Sequence, residues 1–244
     1  MNIADHLSAA HETAAYNSAD FARLDESDDS RFYAKDRMVS HLDSTALNTV
    51  ERIIGSLVVE DEPVILDLMA SWDSHIPKIL KPKRVQGLGM NLNELQANRA
   101  LSEYLIHDLN QDPRLPFTDA SFDVVLNTVS VDYLTRPVEV FAEVARVLKP
   151  GGLPLVIFSN RWFEPKVTRV WRETGEAERV LLVEDWLRAA GGFGEPRAFV
   201  SKNKPRPSDD KYADLNIPSD PVYAVFVDKL GGDPARAPRP FAGR

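Results

Sequence analysis

Val64-Ile65-Leu66-Asp67-Leu68-Met69-Ala70-Ser71-Trp72-Asp73-Ser74-His75 is the stretch on which the fold turns. An apolar run interrupted only by an acid, then small and polar residues, predicts a buried parallel strand over 64–68 leading into a helix over 73–80. In open α/β sheets ligands bind at the carboxyl ends of such strands. Asp67 and the residues after it are therefore the first place to look for a site.

Downstream, apolar runs and helical patterns alternate. Strands are predicted at 84–88, 104–107, 122–127 and 153–158, and a helix over 91–99, with Gln111 to Asp119 as a polar, proline-containing loop. Arg136-Pro137 marks a helix start, since proline suits the first helical turn, and Val140, Phe141, Val144, Val147 and Leu148 form its apolar stripe. Lys149-Pro150-Gly151-Gly152 stops that helix. Two helical pieces broken near Thr174-Gly175 follow, the second ending at Gly191-Gly192. The last strands are expected at 197–201 and 222–228, separated by a charged, proline-rich surface loop over 204–219. This alternation implies right-handed crossovers and a parallel sheet.

Upstream, Leu42, Ala46, Leu47, Val50, Ile53, Ile54 and Leu57 recur at helical spacing, with Asp43 or Ser44 as the cap of a helix packed on the sheet. Tyr33, Arg37 and His41 are spaced by four, so a helix over 33–43 would set them on one face. Residues 1–31, with Asp25, Glu26, Asp28 and Asp29 and few large apolar side chains, are expected to be a partly disordered extension. Residues 32–230 then make one domain, and 231–244, lacking an apolar pattern, a flexible tail.

The chain has 244 residues, 43% of them hydrophobic, enough for one substantial core. A net charge of −8 argues against a general nucleic-acid binder, because phosphate binding relies on Lys and Arg. With no cysteine, disulfides, thiolate metal sites and a Cys nucleophile are excluded. The histidines show no His-x-x-x-His pair, so no metal site is expected. No apolar run is long enough to span a bilayer and no signal-peptide pattern is present, so the expectation is a cytoplasmic protein without a membrane partner.

Leu115-Pro116-Phe117, Ser121-Phe122-Asp123-Val124-Val125 and Arg146-Val147-Leu148-Lys149-Pro150-Gly151-Gly152, with the order of elements, resemble the class I S-adenosylmethionine-dependent methyltransferases of the type 11 kind over roughly residues 60–229. The resemblance implies a three-layer, Rossmann-like α/β fold. Its seven-stranded sheet would be mostly parallel with an antiparallel last strand. It also implies S-adenosyl-L-methionine as cofactor and methyl transfer to a small-molecule acceptor. The alternative is a non-catalytic relative that keeps the fold for binding or regulation.

The family's first loop reads Asp/Glu-x-Gly-x-Gly-x-Gly. Asp67 keeps the acid, but Met69, Ala70, Ser71 and Trp72 replace the glycines, so side chains stand where bare backbone meets the cofactor. The family's ribose-binding acid aligns with Gly89, and on that alignment Gly89→Asp would tighten cofactor binding. Asn91 is either a ribose contact or a helix N-cap. His107-Asp108-Leu109 aligns with the adenine-binding loop, where Asp108 would accept the amino proton and Leu109 would offer its amide. Beyond the fourth strand, Asn127 is a cofactor contact or needs a protein partner. Asp132 and Tyr133 either orient a substrate and accept its proton or, for Asp132, cap a helix. Tyr33, Arg37 and His41 are candidates for a lid over cofactor and substrate, with His41 a further catalytic candidate; the alternative is a solvated helix face. Trp162, Phe163, Trp171 and Trp186 are expected to be mostly core, with an apolar substrate pocket as the minority alternative.

Overall fold

The apolar run at 64–68 becomes the centre of the sheet. The computed structural model of the protein describes residues 16–235, 237, 239 and 240. Its strands are β1 (Val64–Leu68), β2 (Arg84–Gly89), β3 (Glu103–Ile106), β4 (Phe122–Thr128), β5 (Leu148–Phe158), β6 (Arg197–Ser201) and β7 (Val222–Phe226). They form one seven-stranded sheet in the order β3-β2-β1-β4-β5-β7-β6. The first five are parallel, with Ile65 opposite both Val85 and Val124. β7 runs antiparallel to β5 and β6, with Val225 opposite Val156 and Ala198. Strand order reverses between β1 and β4, the switch point at which such sheets open a crevice.

Because successive side chains in a strand face opposite sides, the near-continuous apolar strands feed two cores. Ile65, Val124, Leu126 and Leu155 join Val50, Ile53, Ile54 and Leu57 of helix α2 on one face. Leu66, Val125, Val156 and Val225 join Val140, Phe141, Val144, Val183 and Trp186 on the other. The helices are α1 (Asp29–Tyr33), α2 (Ser44–Leu57), α3 (Leu92–Ala97), α4 (Pro137–Val147), α5 (Arg169–Glu173) and α6 (Glu176–Ala190). Asp43 caps α2, its carboxylate accepting from the Ala46 amide at 3.0 Å. Trp171 and Trp186 are fully buried and stacked, 6.2 Å between ring centroids, so both are core.

The structure corrects two helices. Residues 69–83 contain none, so β1 crosses to β2 without a covering helix. Pro77 lacks an amide and disfavours helix at Ile76. The Asp73 carboxylate takes the His75 amide at 2.9 Å, and His75 adopts φ +53°. Residues 33–43 are not helical either, since α1 ends at Tyr33. The Arg37 guanidinium donates to the carbonyls of Phe32 at 2.9 Å and Lys35 at 3.0 Å, which a continuing helix would use itself.

Both ends of the described chain are tied down, against the loose packing expected from their composition. Tyr16 and Phe21 pack on Trp186, and the Asp25 amide donates to the Pro165 carbonyl at 2.8 Å. Asp29, only 3% exposed, meets Arg23 at 2.7 Å and the fully buried Lys166 at 3.0 Å. In the tail, buried Arg239 pairs with Glu60 and Asp228, each at 2.6 Å, and donates to the Leu57 carbonyl. Residues 1–15 lie outside the described residues. The 204–219 loop is anchored by Arg206, which meets Asp220 at 2.8 Å and Asp43 at 3.5 Å.

Candidate functional site

A crevice opens at the carboxyl ends of β1, β2, β3 and β4. Its floor and walls include Asp67, Met69, Ala70, Ser71, Gly89, Asn91, Asp108 and Leu109. Tyr33, Arg37 and His41 reach it from the N-terminal segment, and Phe163 from the segment after β5. The structure thus brings together the expected cofactor and lid positions, with Asn127 as the exception.

The first loop solves its lack of glycine by changing direction. Met69 takes φ +60°, the left-handed conformation that glycine would adopt at no cost, and the Ala70 amide donates to the Leu88 carbonyl at 2.8 Å. The loop therefore lies against the end of β2. A Cβ added at Gly89 would come within 2.3 Å of the Ala70 carbonyl oxygen and 3.1 Å of Leu95 Cδ2. No acid fits there without moving backbone, which removes the basis for expecting Gly89→Asp to tighten binding. The glycine-free first loop and the glycine at the end of β2 are thus coupled by packing.

Asp67 ends up beneath this loop, its Oδ2 accepting from the Ser74 hydroxyl at 2.6 Å. Burial pushes its carboxyl up to about 6, against the pull of that hydrogen bond. Asn98 donates to the Ser71 carbonyl at 2.8 Å and to Ser74 Oγ at 3.0 Å, pinning the loop from the other side.

Glu94 is the residue that sequence reasoning missed. Its two oxygens accept from the Ser71 hydroxyl and the Arg37 amide, each at 2.6 Å, so one buried carboxylate joins the first loop to the N-terminal segment. A signal was present: Asn91-x-x-Glu94 has the spacing of a capping box. Asn91 is the N-cap of α3, accepting from the Glu94 amide at 3.0 Å. Its amide donates to the Tyr33 carbonyl at 3.0 Å and Asp36 at 2.9 Å, so its hydrogen bonds go to the protein. The Trp72 indole completes the fastening at the Val39 carbonyl, 3.2 Å away.

The roof is aromatic and cationic. The Arg37 guanidinium carbon sits 4.5 Å from the Phe32 ring centroid and 5.1 Å from that of Phe163. His41 meets Phe163 edge-on at 5.2 Å, and burial pulls its imidazole below the usual histidine range. Tyr133 stacks on the same ring at 5.9 Å, its hydroxyl accepting from the Phe163 amide at 2.8 Å. Phe163 is therefore the member of the aromatic group that serves the crevice.

At the end of β3, Asp108 Oδ1 accepts from the amides of Asn110 at 2.8 Å and Gln111 at 3.3 Å, while its second oxygen has no partner among the described residues. Asn110 locks this loop in place through Asp29, the Tyr133 carbonyl and Thr135. At the end of β4, Val129 has φ +54°, a strained conformation for a β-branched residue. The flanking hydroxyls of Thr128 and Ser130, like that of Tyr33, are buried without hydrogen-bond partners among the described residues, although their residues line the crevice. Buried polar groups without partners are rare, and here they gather at one mouth.

Two expected site residues do not line the crevice. Asn127 bridges strands instead, donating to the Leu68 carbonyl at 3.3 Å, while its own oxygen is buried and has no partner among the described residues. Asp132 is 2% exposed and lies behind the lining, although its neighbour Tyr133 faces the crevice. Among the described residues no cluster of acids and histidines is arranged to hold a metal ion, and no helix is long and apolar enough to cross a membrane.

Comparison with known proteins agrees with this arrangement. Residues 79–156 match the family described as a methyltransferase domain. The chain is 27% identical over 137 residues to a malonyl-[acyl-carrier protein] O-methyltransferase of Marinomonas sp., covering 54% of this chain and 51% of the relative. It is 27% identical over 190 residues to the 27-O-demethylrifamycin SV methyltransferase of Amycolatopsis mediterranei, covering 71% and 69%. The chain thus spans about half the length of the first relative and about two thirds of the second. Among solved structures, a SAM-dependent methyltransferase from Archaeoglobus fulgidus shares the fold at TM-score 0.53 and 11% identity, covering 76% of this chain and 93% of that one. The strand order and the crevice at the switch point are shared with S-adenosylmethionine-dependent methyltransferases of known structure, and residues 79–156 match the methyltransferase-domain family.

Proposed function

We propose that the crevice binds S-adenosyl-L-methionine and that the protein transfers a methyl group to a small-molecule acceptor. The observation that carries this reading is Asp108, held at the end of β3 with one carboxylate oxygen uncommitted on the crevice wall. That oxygen would accept the adenine amino proton, and Leu109 would present its backbone amide. The hydroxyls of Thr128, Ser130 and Tyr33, unpartnered among the described residues, would supply further polar contacts, while Arg37 provides the cationic group at the roof. When bound, the cofactor supplies an electrophilic methyl group on a positively charged sulfur. The protein's part is to align the acceptor and keep water out, which accounts for much of the catalysis such a transfer needs.

The close contact of Ala70 with Gly89 favours a second reading, in which the fold is kept for binding alone, since the ribose side of the site is rebuilt. Calorimetry with S-adenosylhomocysteine tests the first reading, with thermal stabilisation of roughly 2.7 kcal/mol expected at about a hundredfold excess over Kd. Label transfer from methyl-labelled S-adenosylmethionine to candidate acceptors separates the two: binding without transfer supports the second. No binding at millimolar ligand overturns the first.

A further inference from the structure

His41, His75 and His107 all line the crevice. His107 spends its Nε2 on the Asp112 carbonyl, 2.8 Å away, at the β3 end. His41 sits edge-on to Phe163, and no carboxylate of the described residues lies within ion-pair distance of its ring. His75 differs from both, because its Nδ1 stands 3.2 Å from Asp73 Oδ2.

The first loop holds this pair in place. Asp73 turns both oxygens on one neighbour: Oδ1 accepts from the His75 backbone amide at 2.9 Å, while Oδ2 faces the ring. Between them Ser74, only 2% exposed, is fixed by its hydrogen bonds with Asp67 and Asn98. His75 itself has φ +53°, uncommon outside glycine, and such outliers persist only where the surroundings impose them. Its side chain is largely buried against the crevice, and its Nε2 has no partner among the described residues. A carboxylate beside Nδ1 favours the proton on that nitrogen, which leaves the Nε2 lone pair free to accept one.

Asp108 lies beyond the end of β3 and the Asp73–His75 turn follows β1, two strands away in the sheet, or about 10 Å at the usual strand spacing. A nucleoside gripped by Asp108 therefore extends its sulfur end toward His75. Asp67 of β1 and His41 of the N-terminal segment are the other titratable groups that sense the His75 charge.

We propose that His75 is the general base of the site, with Asp73 as its positioning residue, and that it serves an acceptor whose O–H or N–H group loses its proton on methylation. This rests on the methyl-transfer reading above. As the acceptor's oxygen or nitrogen bonds the methyl carbon, the carbon–sulfur bond breaks with its electron pair left on sulfur, and the acceptor's proton passes to His75 Nε2. The positive charge lost from sulfur thus reappears on the imidazole, where the Asp73 carboxylate faces it. Solvent at the crevice mouth then takes the proton and restores the base.

Nitrogen NMR of the full-length, histidine-labelled protein tests the arrangement without any acceptor. The neutral His75 ring should carry its proton on Nδ1, whereas free histidine favours Nε2. His75→Asn, a residue that tolerates the same backbone conformation, should remove that signal. Asp73→Asn keeps an oxygen for the His75 amide and should move the proton toward Nε2; a turn that serves only the backbone would leave it unchanged. If His75→Asn does not fold, the response to Asp73→Asn still identifies the signal. Titrating the same signal in two complexes tests the link to the transferred methyl. With S-adenosylmethionine bound, the ring should lose its proton at least about threefold more readily than with S-adenosylhomocysteine, because only the first places a positive sulfur nearby. A neutral His75 ring protonated on Nε2, or one that titrates identically in the two complexes, overturns the proposal. Failure of both ligands to bind is a different result: it removes the methyl-transfer reading on which the proposal stands, even with the tautomer as expected.

Discussion

The Ala70 carbonyl oxygen stands 2.3 Å from the point that a Cβ on Gly89 would occupy. Here the first loop fills it, so the glycine is a packing requirement.

Gly89→Ala and Gly89→Asp should therefore both destabilise the protein, by about 1–3 kcal/mol or more, because the atom they meet is backbone. Urea denaturation of the unliganded variants measures this. A Gly89→Asp variant of wild-type stability that binds S-adenosylhomocysteine more tightly would show that the loop lies elsewhere.

Glu94→Ala removes the acceptor shared by Ser71 and Arg37. Hydrogen bonds to a charged group contribute roughly 1.5–3 kcal/mol each, so a loss of about 3–6 kcal/mol is expected for the two. The same variant should bind S-adenosylhomocysteine at least tenfold more weakly, since it frees both the first loop and the roof. Chemical denaturation and calorimetry on one preparation check both effects.

Asp108→Asn keeps an oxygen to cap the Asn110 amide, whereas Asp108→Ala does not. Both variants should lose ligand affinity, by about tenfold or more, and only the alanine should also lose stability, by about 1 kcal/mol. Equal stability losses with unchanged affinity would make Asp108 purely a loop cap.

Two buried carboxyls set the response to pH. Asp67 and Asp132 are raised to about 6 and about 7, from model-compound values of 3.8. The native state therefore holds protons that the unfolded chain has released, and each group's contribution is complete below about pH 4. It is lost as pH rises, by about 6 for Asp67 and about 7 for Asp132. His41, pulled below its usual range, acts in the opposite sense at mildly acid pH. Comparing Asp67→Asn and Asp132→Asn with wild type at pH 5 and pH 8 isolates the carboxyls: each variant should lose less stability across that interval.

The sheet was legible because strands covered on both faces must be largely apolar, as the parallel strands β1 and β4 and the antiparallel β7 are. The cap at Asp43 and the break at Thr174-Gly175 were legible from local chemistry alone. The helix expected over 73–80 was not formed, because the Asp73 turn and Pro77 outweigh a weak periodicity. The spacing of Tyr33, Arg37 and His41 pointed to the right place for the wrong reason. Arg37 and His41 meet at Phe163, which lies more than a hundred residues away in sequence, and no local pattern encodes that contact. Glu94 was hidden similarly, since only the folded chain brings Ser71 and the Arg37 amide to it.

The bare crossover between β1 and β2 has a consequence for cooperativity. With no helix there and only six residues in α3, edge strand β3 leaves Tyr104, Leu105 and Ile106 between 36% and 55% exposed. β4 and β5 are buried on both faces by comparison. Free energies of local opening follow such differences in cover, so amide exchange should be fastest in β3 and slowest in β4 and β5. Asp108 and Leu109 ride on that weakly held strand. A ligand gripping them would slow exchange in β3 far more than in the centre of the sheet, joining the two regions into one cooperative unit.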